Sequence, residues 1–318
     1  MVPTIEPPDF AAIEAAALRI RSHAHRTPVV RSRTLDAIAG AQLHFKCENL
    51  QRTGAFKFRG ACNAVWSLDD DAASRGVVTH SSGNHGAALA LAARTRGIAA
   101  HVVVPEGAVK SKVVAIEGYG GIVHRCAPTM AARDALAALV RDRTGAHFVH
   151  PYADARVIAG QGTATLELLA ESGPLDALIT PVGGGGLVGG SAIAAHAIAP
   201  AMAILAAEPE GAADAFESLR RNERVTDVVP DTLCDGLRGG IGAINFDLLR
   251  IHGVQVLRVS DVDTVAAMRL IWQRLKLVVE PSSAIALAAI LQHPAQFAGR
   301  RVGVVLSGGN VDLDALPW

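Results

Sequence analysis

The sequence predicts an α/β fold in which mostly parallel strands are covered by helices on both faces. Two observations carry that prediction. Short β-branched runs (GVVTH 76–80, AAHVVVP 99–105, GGIVH 120–124, HFVH 147–150, ALIT 177–180, AILAAE 203–208) alternate with alanine-rich helical stretches. Most of these runs are apolar throughout, as strands buried on both faces are. Composition agrees: of 318 residues 50% are hydrophobic and 19% charged, which excludes a disordered or low-complexity chain.

Taken in order, the first helix is expected after Asp9 as N-cap, with Ile13, Ala16, Ala17 and Ile20 at helical spacing. A strand follows at Leu43–Cys47, read as alternating apolar and polar. The βα rhythm then runs to VQVLRV at 254–259, a helix opened by the capping box Ser260-x-x-Asp263, and a last strand RVGVVLS at 301–307. Residues 177–207 carry no formal charge and so imitate a membrane span. Gly183 to Gly186, Pro181, Pro200 and His196 break that stretch into strand, loop and helix lengths. The length suits one large or two ordinary domains. With no repeat and no charged linker, any division must be compact and can be discontinuous.

Thirty basic residues balance thirty acidic ones. Neutrality gives no electrostatic reason to expect nucleic acid or an anionic membrane as partner. The start, MVPTIEPPDF, has no basic region followed by an apolar run and does not read as a signal peptide. Cys47, Cys62, Cys126 and Cys234 form no CxxC pair and read as buried residues of a reducing compartment. A cytoplasmic protein is the expectation.

In such a sheet, ligands bind at the carboxyl ends of strands, and four strand ends or helix starts carry unusual chemistry. ITPVGGGGLVGGSA (179–192) offers unblocked N–H groups at a helix N-terminus, suited to a phosphate. It also satisfies the dinucleotide pattern Gly184-x-Gly186-x-x-Gly189, with Glu208 placed as a ribose-binding acid. THSSGNHGAAL (79–89) sets two hydroxyls, an amide and an imidazole between strand and helix, to cap the helix or to hold a carboxylate. TGAFKFRGACNAV (53–65) puts Lys57 between two phenylalanines. Desolvation there lowers its pKa and makes it nucleophilic, unless it is a snorkelling surface lysine. VVLSGGNVD (304–312) ends the last strand on Ser307, as a site or a simple turn.

Together these motifs resemble the fold-type II (tryptophan-synthase-β-like) pyridoxal-phosphate enzymes, in particular the serine/threonine dehydratase and serine racemase group. The likeness runs in family order through KCENLQRTGAFKFRGA, SSGNHG, VIAGQGT, PVGGGGL, AAEPEGAAD, VEPSSAIALAA and LSGGNVD, nearly the whole chain.

The resemblance implies that Lys57 carries pyridoxal 5′-phosphate covalently and that Gly183, Gly184, Gly185 and Gly186 cradle its phosphate. Phe56 would lie along the ring, Asn84 would hydrogen-bond the phenolic oxygen, and Ser307 would meet the pyridine nitrogen. A neutral hydroxyl there leaves the ring a weaker electron sink, which favours β-elimination over transamination. Ser81, Ser82, Asn84 and His85 would bind substrate, and Lys57 and Ser82 would be the two acid/base groups, so elimination and racemisation are hard to separate. Glu208, the Ala212 carbonyl and Asp214 match a divalent-cation site taking Mg²⁺ or Ca²⁺. Ala55 stands where the family usually has Ser. Tyr152, where eukaryotic racemases tend to have Asn, leans towards a dehydratase. Arg133 matches an arginine that can approach a dicarboxylate, or is a solvated helix arginine.

The expected product is therefore a two-domain enzyme. Residues 1–70 and 150–318 form a large cofactor-binding part, and 71–149 a small part that closes over the substrate. The expected activity is removal of water and ammonia from a β-hydroxy amino acid of the serine/threonine type. A serine racemase and a 3-hydroxyaspartate or 3-phenylserine dehydratase are the alternatives within the class, and a nicotinamide-linked dehydrogenase is the alternative outside it. A small-molecule amino-acid substrate and a homodimer complete the expectation.

Overall fold

The computed structural model describes residues 6–318. Ten strands form two sheets. The larger holds β1 (Val29–Val30), β2 (Gln42–Cys47), β7 (Ala177–Pro181), β8 (Ala203–Pro209), β9 (Gln255–Val259) and β10 (Arg301–Leu306), in the order β1-β2-β10-β7-β8-β9. The smaller holds β3 (Val77–His80), β4 (Ala100–Pro105), β5 (Gly121–Cys126) and β6 (His147–Phe148), in the order β5-β4-β3-β6. Every pairing is parallel except β1 with β2. The α/β reading is therefore correct, and every strand read from the sequence is present within two residues at each end.

The large sheet is covered on both faces. One core packs Phe45, Leu257 and Leu306 with the helix Pro281–Gln292, whose first ten residues are all buried. The other packs Leu178 and Val305 under the helix Gly186–Ile198. The small sheet shares its core with the helices Asn84–Arg96 and Lys57–Trp66, through Phe58, Ala61 and Val65. The chain before residue 70 thus contributes a helix to the smaller sheet's core. Gly60 and Gly160 let that helix lie close against Ala155–Ser172, since a methyl on Gly160 would overlap the backbone of Arg59 and Gly60, and one on Gly60 the Gln161 side chain and the Val157 carbonyl.

One detail departs from the sequence reading, and a second removes an alternative it left open. β2 was read as alternating, yet Leu43 to Cys47 are all buried. The Lys46 ammonium donates to the Thr27 carbonyl and to Glu167, each at 2.6 Å, so an ion pair replaces the solvent it would otherwise face. The N-cap of the helix after SSGN is Gly83, and no side chain caps it. Elsewhere local rules hold: Asp9 caps the helix Phe10–Ile20 by accepting from the Ala12 amide, and Ser260 accepts from the Asp263 amide. The uncharged stretch resolves into β7, a helix and β8, and among the described residues no helix is long and apolar enough to cross a membrane. All four cysteines are free and buried.

Candidate active site

A cavity of about 520 Å³ opens where the carboxyl ends of both sheets converge. One wall takes the loops after β3, β4 and β5, the other the loops after β7 and β10.

Lys57 opens the helix Lys57–Trp66. The end of β10 fixes where that helix starts, because the Phe56 amide donates to the Ser307 carbonyl at 2.9 Å and Ala55 bridges Gly308. Lys57 Nζ donates to the Pro151 carbonyl at 2.9 Å and stands 5.2 Å from the Phe56 ring centroid. Desolvation pulls its pKa down to about 8 against the opposing field of the Glu280 carboxylate. It is not a snorkelling surface lysine.

The glycine loop joins β7 to the helix Gly186–Ile198. Gly185 is left-handed (φ 88°), and a methyl on Gly184 would overlap the Tyr152 ring. Asn245 Nδ2 ties the loop to the same tyrosine, donating to the Gly184 carbonyl at 2.6 Å and the Tyr152 carbonyl at 2.9 Å. Among the described residues the amides of Gly183, Gly184 and Gly185 find no backbone acceptor. Open donors at the positive end of a helix suit an anion.

Across the cavity, Ser81, Ser82, Asn84 and His85 line the second helix start. His85 is buried with neither ring nitrogen partnered, and desolvation holds its pKa well below the usual value. A neutral imidazole with open nitrogens beside a cavity leaves room for a ligand's polar atoms. Asn84 Nδ2 donates to both Glu280 oxygens, at 2.9 and 3.2 Å, and Oδ1 accepts from Asn310 at 2.9 Å. The amide is therefore shared with Glu280, a partner the sequence reading did not single out. Glu280 precedes Pro281 at the start of an apolar helix, which was the available signal. Burial, with the field of Asp235, pushes its pKa up to about 7. Ser307 is buried, its Oγ 3.5 Å from the Ser282 carbonyl, at the limit of a hydrogen bond.

Arg133 also lines the cavity. Its Nε is buried without a partner, and Nη1 contacts the Met130 sulfur at 3.9 Å.

The structure thus gathers Phe56, Lys57, Ser81, Ser82, Asn84, His85, Arg133, Gly183, Gly184, Gly185, Gly186 and Ser307 around one cavity. Glu208, Ala212 and Asp214 lie outside it. Glu208 accepts from the Ala215 and Phe216 amides, both at 2.8 Å, and Asp214 accepts from the Ile241 amide at 2.6 Å. Glu208 therefore caps a helix and is not free to bind a ribose. Nor do three or more His, Cys, Asp or Glu side chains gather as a metal cluster among the described residues. Desolvation pushes the Glu208 pKa up to about 8 and raises that of Asp214.

The family described as "Pyridoxal-phosphate dependent enzyme" matches residues 20–308. The chain belongs to that family. It is 47% identical over 311 residues to a beta-hydroxyaspartate dehydratase of Paracoccus denitrificans, covering 98% of this chain and 99% of the relative. It is 47% identical over 313 residues to a serine racemase of Arabidopsis thaliana, covering 97% and 95%. Among solved structures, maize serine racemase superposes with a TM-score of 0.94 at 43% identity, over 97% of this chain and 95% of that one. The enzyme is thus a pyridoxal-phosphate enzyme of fold type II, and the nicotinamide alternative falls. The residues present fit the cofactor: open amides for its phosphate, a desolvated lysine for its aldehyde, and unpartnered His85 nitrogens beside the space.

Proposed function

We propose that this enzyme is an ammonia-lyase for β-hydroxy amino acids, and that a substrate with a second carboxylate, 3-hydroxyaspartate, suits its cavity best. The Arg133 guanidinium carries that choice, because it lines the cavity yet forms no ion pair among the described residues. Lys112, on the same wall, is paired with Asp235. A cation in a ligand cavity without a counter-charge awaits one from the ligand. The relative named beta-hydroxyaspartate dehydratase supports the same choice.

When bound, the cofactor supplies the electron sink that stabilises negative charge at Cα. The chain does the rest. The helix start at Ser81–His85 binds the α-carboxylate, and Arg133 binds the β-carboxylate. Lys57, with its pKa near 8, takes the Cα proton when neutral. Cβ–O cleavage then expels the hydroxyl, which leaves as water with the proton Lys57 took, and the released enamine tautomerises to an imine that water hydrolyses to a 2-oxo acid and ammonia. Glu208, Asp214 and the Ala212 carbonyl would hold Mg²⁺ or Ca²⁺ away from these steps. A homodimer and closure of the small part over the substrate belong to the same proposal. Racemisation is a second reading, favoured by Ser82, which lines the same cavity as Lys57.

The test is kcat/KM on 3-hydroxyaspartate isomers, L-serine, D-serine and L-threonine, scoring oxo acid and enantiomer. Wild type should prefer a 3-hydroxyaspartate isomer. Arg133→Gln should lose about 10- to 100-fold on it, the worth of a charged hydrogen bond, and less than threefold on L-serine. A preference for serine or threonine that Arg133→Gln leaves untouched would overturn the choice.

A further inference from the structure

Behind Lys57, the turn at residues 150–153 contributes to both sides of the site. The Pro151 carbonyl accepts from Lys57 Nζ at 2.9 Å, and the Tyr152 ring covers Gly184. One side chain organises that turn. His150 Nδ1 accepts from the Ala153 amide at 3.0 Å and from the Tyr152 amide at 3.3 Å. The accepting nitrogen carries no proton, so the ring hydrogen sits on Nε2. The same ring stands edge-on to Tyr152, centroids 4.6 Å apart, and to His80 at 5.6 Å.

We propose that His150 is a positioning residue whose Nδ1 locks the 150–153 turn, holding the Pro151 carbonyl against the Lys57 amine and the Tyr152 ring over the glycine loop. The proposal rests on Lys57 being the cofactor lysine. Without the two accepted amides the turn has no internal hydrogen bond at its start. The carbonyl would then leave the amine and water would enter beside it. Asn245 still fixes the Tyr152 carbonyl, so the effect should centre on Lys57 rather than on folding.

Asparagine separates this role from mere bulk. Its Oδ1 occupies the place of Nδ1 on the same Cβ–Cγ stem and accepts from the same two amides. Leucine keeps the volume and removes the acceptor. The readout is acetylation of Lys57 by acetic anhydride in the cofactor-free protein, followed against pH by peptide mass, together with the Kd for pyridoxal phosphate. In wild type and His150→Asn, half-maximal labelling should fall near pH 8, where burial sets the Lys57 pKa. In His150→Leu it should move up by about one pH unit or more, and the Kd should rise at least tenfold. If His150→Leu only lowers the melting temperature, with labelling midpoint and Kd within twofold of wild type, the assignment is wrong. The same holds if His150→Asn behaves like His150→Leu. A wild-type protein that eliminates no β-hydroxy amino acid would sink the ammonia-lyase reading and leave this comparison intact.

Discussion

Desolvation acts with opposite sign on the chain's buried bases and acids, because burial disfavours whichever form is charged. It brings Lys57 down to about 8 and lifts Glu208 to about 8, so that each can change charge near neutral pH. For Glu208 the folded pKa lies above the ordinary 4.5. The stability it contributes is therefore fully present below about pH 4.5 and is lost as pH rises towards 8. A divalent cation on Glu208 and Asp214 would replace the proton. Mg²⁺ or Ca²⁺ should thus raise the melting temperature by roughly 3 °C or more at pH 8 and by less at pH 5, and Glu208→Gln should abolish the difference. Equal shifts at both pH values, or none, would remove the cation from this position. At this scale Lys57, the glycines and Ser307 stood out as candidates because each sits where a short motif enters or leaves an element, and the resemblance to a known family supplied their roles. Glu280 was not, because its meaning depends on Asn84, 196 residues away in sequence.

The helix that presents Lys57 is held by a buried ion network. Arg59 donates to both Glu48 oxygens, at 2.7 and 2.8 Å, and to both Glu167 oxygens, at 2.8 and 2.7 Å. Lys46 on β2 adds a second cation to Glu167. The set ties the helix Lys57–Trp66 to β2 and to the helix Ala155–Ser172, and Arg59 and Glu48 are fully buried. Arg59→Met should leave Glu48 without its buried counter-ion and cost about 3–5 kcal/mol of unfolding free energy, the usual penalty for breaking a buried pair from one side. Urea melts followed by circular dichroism read that loss directly. A loss below about 1 kcal/mol would show that the network is not what anchors the helix. The sequence showed β2 as a strand but not this network, because Lys46 meets a glutamate 121 residues along the chain and local alternation assigns a lone lysine to solvent. The two-residue β1 was missed for a simpler reason: it is too short to show a period.

Across the whole molecule, two mostly parallel sheets point the carboxyl ends of their parallel strands at one cavity, and an ion pair between Lys112 and Asp235 joins its walls. Parallel βα units, recognisable from apolar runs between alanine-rich helices, put every strand-end motif on the same side. The sequence tied motifs as distant as residues 57 and 307 to one site through the resemblance to a known family, and the structure lines one cavity with both. How the chain divides was less legible, since the helix Lys57–Trp66 packs with the smaller sheet while its N-terminus takes its place from β10 of the larger. The proposed function depends most on covalent attachment of the cofactor to Lys57, and mapping that attachment is the most direct check. Pyridoxal phosphate added to the cofactor-free protein, reduced with borohydride and digested, should leave one pyridoxyl group, on the peptide containing Lys57. A pyridoxyl group on another lysine, or none, would contradict the site described here.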